Sequence, residues 1–259
     1  MVSVVKKMVG FIVLSSLPAL VFSSALSKSL SEPLSDVHHI EPLSKEYQQL
    51  LIAKHLWSPE CPVSLSRLSV VTVSYYDFKG KLHHDGKIIV LDNFAQQVET
   101  IFSELKQKHF PINKIKLTSD YNGDDIASME DDNTSAFNCR SITGDSHAYS
   151  LHAYGAAIDI NPVENPYIGF EQSQLGAANI LPKNGVDYIN RVFQVPGSTE
   201  SVLSIFKEHG FTEWGGYWHS PIDYQHFQVP RALAEESAKI SAAQITALIS
   251  SAEPPPVSQ

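Results

Sequence analysis

A histidine and an aspartate seven residues apart could supply part of a metal site. His152 precedes a glycine at position 155, and Asp159 lies in the apolar run that follows. A turn that leads into a strand can bring an imidazole and a carboxylate onto one ion, and both groups are common zinc ligands. Burying the charge of Asp159 is costly unless a metal, a cation or several donors compensate it. Taken alone, His152 is better explained as a core or surface residue, since the chain has eleven histidines.

His226 is the best candidate for a third ligand, because it opens a predicted strand and follows Asp223 by three residues. Three protein ligands leave one coordination position for water, as in catalytic zinc sites. The metal would lower the pKa of that water to about 7. We assign Asp223 as the acid/base that accepts the proton and delivers it to the leaving amine. Arg140 is the candidate for stabilising the oxyanion.

Each of these assignments has a simpler alternative. Asp223 could be only a turn residue after a proline, and Arg140 could be an ion-pair partner for the acids between positions 124 and 132. His219 is a competing third ligand, but the residue three positions before it is Gly216 rather than an acid. The spacing therefore favours His226 over His219.

The segment 150–159 reads Ser-x-His-x-x-Gly-x-Ala-x-Asp. This pattern resembles the zinc motif of the VanY-type D-alanyl-D-alanine carboxypeptidases and their L-alanyl-D-glutamate endopeptidase relatives. The resemblance continues in segments 211–218 and 223–228, and segment 137–140 stands where that family has a substrate-facing arginine. It covers about residues 114–229.

The resemblance implies His152, Asp159 and His226 as Zn²⁺ ligands, Asp223 as general acid/base and Arg140 as the residue that stabilises the carbonyl oxygen. It also implies peptidoglycan stem peptides as the substrate. The fold it implies is a small antiparallel sheet with flanking helices, as in Hedgehog-type and DD-peptidase-like zinc proteins.

The elements that must position these residues follow from periodicity. Dense β-formers on both sides of a polar turn predict a hairpin over 70–91, and apolar residues at helical spacing predict a helix over 94–105. Strands, helices and one long loop do not alternate regularly, which predicts the α+β class. The other predicted elements are strands at 114–118, 156–160 and 226–229, helices at 44–55, 198–210 and 231–250, and a loop at 119–140.

Composition excludes some classes of protein. Hydrophobic residues at 43% and charged residues at 18% are ordinary for a globular protein. A formal net charge of −9 argues against a nucleic-acid partner, because such proteins present a basic surface to phosphates. The classes of protein that remain after these exclusions are a soluble enzyme and a binding domain.

The N-terminal residues predict export. Two lysines precede an apolar run of about fifteen residues and then small residues, the pattern of a signal peptide over 1–25. The run is too short for a membrane span, which needs about twenty residues. We therefore expect a periplasmic or secreted protein with no stable membrane span after cleavage. The expected organisation is an N-terminal extension over 26–67, a catalytic domain over 68–230, and a C-terminal helix with a Pro-rich tail over 231–259.

Cys61 and Cys139 are the two cysteines of the chain. In an oxidising compartment they could pair, whereas the alternative is two buried thiols. Their spacing does not decide between these alternatives.

The leading functional hypothesis is a zinc peptidase that cuts peptidoglycan stem peptides. The acid at Asp223, together with the lack of a second arginine that the sequence can place near the metal, favours an L-Ala-D-Glu endopeptidase over a D-Ala-D-Ala carboxypeptidase. The alternative from another class is a catalytically silent zinc-binding module that recognises the cell wall. Retention of Asp223 argues against that module.

Overall fold

The computed structural model describes residues 39–142, 145–170, 178–241 and 244. These residues belong to a compact unit spanning 36–259, and the other unit of the chain spans 1–35. The predicted signal peptide and the Pro-rich tail lie outside the described residues.

Short strands and helices alternate irregularly along the described residues, and the strands form small, mainly antiparallel sheets. This mixture agrees with the predicted α+β class. The strands are β1 (His39–Pro42), β2 (Leu68–Tyr76), β3 (Leu82–Leu91), β4 (Lys114–Ile115), β5 (Asn133–Thr134), β6 (Ser141–Ile142), β7 (Asp145–Tyr149), β8 (Ala157–Asp159), β9 (Tyr167–Gly169), β10 (Asn179–Leu181), β11 (Glu213–Trp214), β12 (Ile222–Asp223) and β13 (His226–Gln228). The α-helices are α1 (Lys45–Ala53), α2 (Ala95–Gln107), α3 (Asp125–Glu130), α4 (Leu203–Glu208) and α5 (Arg231–Lys239).

The largest strand pairing is the predicted hairpin of β2 and β3, to which β1 adds an antiparallel edge. Helix α2 packs on β2 through Val98, Ile101, Phe102 and Leu105, which are at most 1% exposed. Their spacing of three and four residues puts them on one helix face, and their burial removes that face from water. The apolar core therefore forms between this helix and the hairpin.

Two predicted elements differ from the structure, whereas the helix predicted over 44–55 is present as α1. The predicted loop over 119–140 contains α3 and β5, because Asp124 caps a helix by accepting a hydrogen bond from the Ala127 amide at 3.0 Å. Helix α5 ends at Lys239, where Ile240 is extended, so the helix predicted over 231–250 is interrupted there, and most of its remainder lies outside the described residues. The described part of the predicted N-terminal extension adds β1, α1 and core residues such as Leu51 to the same hydrophobic cluster.

A disulfide joins Cys61 to Cys139, with the two Cα atoms 6.0 Å apart. It bridges 78 residues of sequence. The chain-entropy model gives about 4.5 kcal/mol for closing a loop of this length in the unfolded state. The bridge therefore ties the segment before β2 to the segment that carries Arg140.

Arg67 holds the end of helix α5 against the hairpin. Its guanidinium pairs with Asp92 through two hydrogen bonds, of 2.8 and 3.0 Å, and donates to the Ser237 and Ala238 carbonyls at 2.9 and 2.8 Å. Helix α5 in turn contacts the turn Leu151–Tyr154. The position of α5 beside that turn is thus fixed from both sides.

Among the helices of the described ranges, none combines the length and the apolar character that a membrane span requires.

Two buried carboxyl groups, those of Asp132 and Glu164, lie close enough to interact, and each residue is 9% exposed. Burial, followed by the negative charge of Asp132, raises the pKa of Glu164 to about 8. Burial also raises the pKa of Asp132. The pair therefore retains a proton at neutral pH.

This proton makes the stability of the fold dependent on pH. Between the unfolded value of 4.5 and about 8, folded Glu164 holds a proton that the unfolded chain has released, so stability falls as pH rises. Glu164→Gln supplies a neutral side chain of similar shape. We expect it to raise the thermal unfolding midpoint at pH 8 by more than at pH 5, measured by circular dichroism. Equal shifts at both pH values would contradict this expectation.

Candidate metal centre

Asp159 and His226 face each other across neighbouring strands. Strand β13 pairs with β8 in antiparallel register, and His226 lies directly opposite Asp159. Directly opposed residues in such a pair bring their side chains to the same face of the sheet. Strand β8 is further held by Ser135, which exchanges two backbone hydrogen bonds with Asp159, of 2.9 and 3.0 Å. Sheet register therefore positions two of the three predicted ligands.

His152 comes from the 3-10 turn that precedes β8. The Ser150 hydroxyl accepts a hydrogen bond from the His152 amide at 3.3 Å, and the turn ends at Gly155 with φ of +62°. A Cβ at position 155 would lie 2.5 Å from the Leu91 backbone nitrogen, which donates to the Gly155 carbonyl at 2.9 Å. Glycine is required here because both the left-handed backbone and the close approach exclude a side chain.

Three side chains converge in this cluster. His152 Nε2 lies 3.2 Å from Asp159 Oδ2 and 3.2 Å from His226 Nδ1, which lies 3.0 Å from Asp159 Oδ1. The other nitrogen of His152, Nδ1, lies 2.5 Å from the Ala136 carbonyl and donates to it. Two imidazoles and a carboxylate that face one point are a suitable set of donors for a transition-metal ion. It is the one group of this kind found among the described residues.

The electrostatics of the cluster favour an ionised aspartate. Burial by itself raises the pKa of Asp159, but the imidazoles of His152 and His226 outweigh it and hold that pKa well below its usual range. Burial lowers the pKa of His226, and the carboxylates of Asp159 and Asp223 outweigh burial and leave it raised. A bound cation would provide the same compensation for the buried carboxylate as these imidazoles do.

Asp223 lies on β12 and lines the same cavity as the cluster. Its Oδ1 atom is buried and has no hydrogen-bond partner in the part of the chain that the structure describes. Burial, and then the negative charge of Asp159, raises the pKa of Asp223 to about 6. Gly215 packs against it so closely that a Cβ there would lie 2.8 Å from the Asp223 Cβ. A carboxyl group with this pKa can exchange a proton near neutral pH.

Arg140 lines the cavity and also forms an ion pair with Asp125 through Nε. The Asp125 carboxylate accepts a second hydrogen bond from the Asn138 side chain, at 2.5 Å. The ion pair that the sequence offered as an alternative role for Arg140 is therefore present. Asp125 orients the Arg140 guanidinium at the edge of the cavity.

The cavity has a volume of about 270 Å³ and contains residues that the sequence analysis missed. Arg231, the first residue of α5, lies in its wall, where it donates to the Tyr149 carbonyl at 3.1 Å. The sequence had placed Arg231 only as the first residue of the predicted C-terminal helix, two positions after the predicted strand of His226. Trp218 also lines the cavity, with its ring centroid 5.3 Å from that of His226. His219 is exposed and stands outside the metal-binding group.

Metal content should show which of the two candidate histidines, His226 or His219, is the third metal ligand. His226→Ala removes one of three converging donors and should abolish most binding of Zn²⁺, measured by metal analysis after dialysis, whereas His219→Ala should retain about one ion per chain. Loss of the metal in His219→Ala with retention in His226→Ala would reverse the choice of ligand.

Comparison with known proteins agrees with this arrangement. The sequence model of the D-alanyl-D-alanine carboxypeptidase family matches residues 143–229, about a third of the chain. The matched segment contains the cluster and Asp223, whereas Arg140 and Arg231 flank it. No curated protein and no solved structure matches the chain. The resemblance inferred from the histidine–aspartate motif is confirmed over residues 143–229, a segment that matches the D-alanyl-D-alanine carboxypeptidase family of VanY-like zinc metallopeptidases.

Proposed function

We propose that this protein is a zinc-dependent peptidase that hydrolyses an amide bond in the stem peptides of peptidoglycan. The observation that carries the proposal is the convergence of His152, Asp159 and His226 in a cavity that also contains an Asp223 oxygen without a hydrogen-bond partner among the described residues. The family match supplies the class of substrate. We further propose that the fold is the one shared by Hedgehog-type and DD-peptidase-like zinc proteins.

His152 would hold zinc through Nε2, His226 through Nδ1, and Asp159 through its carboxylate. Two nitrogens and one oxygen are ligands that zinc prefers, and three protein ligands leave a position open. When bound there, zinc would lower the pKa of a coordinated water to about 7 and polarise the substrate carbonyl.

The remaining chemistry falls to two side chains. Asp223 accepts the proton of the attacking water and passes it to the nitrogen of the leaving amine as the amide bond breaks. Arg140, oriented by Asp125, donates hydrogen bonds to the carbonyl oxygen as negative charge develops on it. A catalytically silent module would not need an acid at position 223, so this residue favours an enzyme.

Asp223→Asn tests the acid/base role. The amide is almost isosteric with the carboxyl group but cannot accept the proton, so we expect the rate to fall by at least about a hundredfold. Zinc content should be unchanged, because Asp223 is not among the converging donors. Peptide hydrolysis and metal content are measured on the same samples. Parallel loss of both would instead make Asp223 a ligand.

Which peptide bond the enzyme would cut depends on how many positively charged side chains line the cavity. The sequence predicted an L-Ala-D-Glu endopeptidase, partly because it placed one arginine near the metal. Arg231 adds a second one, and it is 40% exposed at its side chain, with its Nη1 3.6 Å from the partly exposed Glu235. A weak surface pair of this kind leaves the guanidinium available to a ligand. We therefore favour removal of a terminal D-Ala, for which Arg231 would bind the free carboxylate.

Product analysis decides between the two bonds. A pentapeptide that ends in D-Ala-D-Ala is digested as the free acid and as the C-terminal amide, and intact peptidoglycan is digested in parallel, with products identified by mass. We expect release of D-Ala, faster from the acid, and a smaller acid-to-amide ratio of rates for Arg231→Gln. Cleavage between L-Ala and D-Glu, with the D-Ala ends intact, would instead establish the endopeptidase.

A further inference from the structure

Strand β13 carries a second polar residue on the side of the sheet that bears His226. Gln228 lies two residues after His226, and alternate residues of a strand project to the same face. Across the sheet, Gln228 lies directly opposite Glu213 of β11. The three side chains form a row that leads from the metal cluster to the strand at the edge of this sheet.

Two hydrogen bonds connect the row. Gln228 Nε2 donates to Glu213 Oε2 at 2.5 Å, and Gln228 Oε1 lies 2.8 Å from His226 Nε2. A carboxylate only accepts, so the end of the amide that faces Glu213 must be its NH₂ group. The end that faces His226 is then the carbonyl oxygen, which also only accepts. The proton of that contact therefore belongs to His226 Nε2.

The direction of these two hydrogen bonds determines which nitrogen of the His226 imidazole carries the proton. A histidine binds a metal ion as the neutral imidazole, in which one nitrogen is protonated and the other is not. With the proton held on Nε2, Nδ1 keeps its lone pair, and Nδ1 is the atom that faces His152 Nε2 and Asp159 Oδ1. If the Gln228 amide were reversed, Nε2 would become the acceptor and the proton would move to Nδ1, where it would block a metal ion.

We propose that Glu213, acting through Gln228, is a positioning residue that keeps His226 Nδ1 free to bind the metal. The inference rests on the proposed metal-binding role of His226. Glu213 does not touch the cluster itself; it fixes the orientation of the Gln228 amide, which in turn fixes the imidazole. Partners of this kind behind a metal ligand typically contribute a factor of about 10 to 100 in metal affinity.

The test measures Zn²⁺ affinity by competition with a chromophoric chelator. Glu213→Gln replaces the obligate acceptor with an amide that allows either orientation of Gln228, and Gln228→Leu removes the row entirely. We expect each variant to bind Zn²⁺ about 10 to 100 times more weakly than the wild type. Because the two residues act in series, Glu213→Gln should cause no further loss when Gln228 is already leucine.

A matched control comes from a second contact between a histidine and a carboxylate. Glu104 Oε1 lies 2.7 Å from His209 Nε2, and neither residue is part of the metal-binding group. Glu104→Gln should leave the Zn²⁺ affinity unchanged. Nitrogen-15 spectra of the zinc-loaded wild type should show a proton on His226 Nε2.

Several outcomes would overturn the inference. Wild-type affinity in folded Glu213→Gln would show that the carboxylate does not act on His226, and this nearly isosteric variant remains decisive if Gln228→Leu fails to fold. Additive losses in the double variant would show that the residues act independently. Absence of Zn²⁺ binding by the wild-type protein would instead reject the proposed function.

Discussion

The carboxylate of Asp159, whose side chain is only 14% exposed, is the constraint on which the rest of this structure depends. An ionised acid beneath the surface of a fold is unfavourable unless opposite charge or hydrogen-bond donors surround it. Two imidazoles do so here, one from a turn and one from the neighbouring strand. The turn needs Gly155, whose carbonyl accepts a hydrogen bond from the Leu91 amide of the hairpin, and the strand needs its register with β13. Much of the local architecture can be understood as the means of bringing these groups together.

The sequence predicted the parts of this arrangement that arise from local patterns. The helix face of Val98 and Phe102 and the strands around Asp159 and His226 follow from periodicity, and the fold contains them close to their predicted bounds. The seven-residue spacing of His152 and Asp159 suggested a shared ion, and the resemblance of segment 150–159 to a known zinc motif strengthened that prediction. Local sequence patterns therefore predict an element well when several residues of that one element contribute to the pattern.

Local sequence patterns did not predict the features of the site that depend on contacts between segments far apart in the chain. Arg231 reaches the cavity because α5 docks against the turn that carries His152, and no spacing in the sequence encodes that docking. The pairing of Gln228 with Glu213 likewise exists only after β11 and β13 align. The link between Cys61 and Cys139 has the same origin: it places the chain before β2 next to Arg140, although 78 residues separate the two cysteines. Long-range packing, rather than residue type, decided these features.

The direct opposition of Asp159 and His226 has a consequence for how such a protein can diversify. The chain between them contains β9 to β12 and the long connections around those strands, yet the two side chains are brought together by the register of one pair of strands, β8 and β13. Insertions or deletions in the connections of that stretch, away from the strands that carry Glu213 and Asp223, could reshape the walls of the cavity without moving these two ligands. The fold thus separates a fixed chemical core from a variable rim, and substrate choice can evolve at the rim by changes in loop length alone.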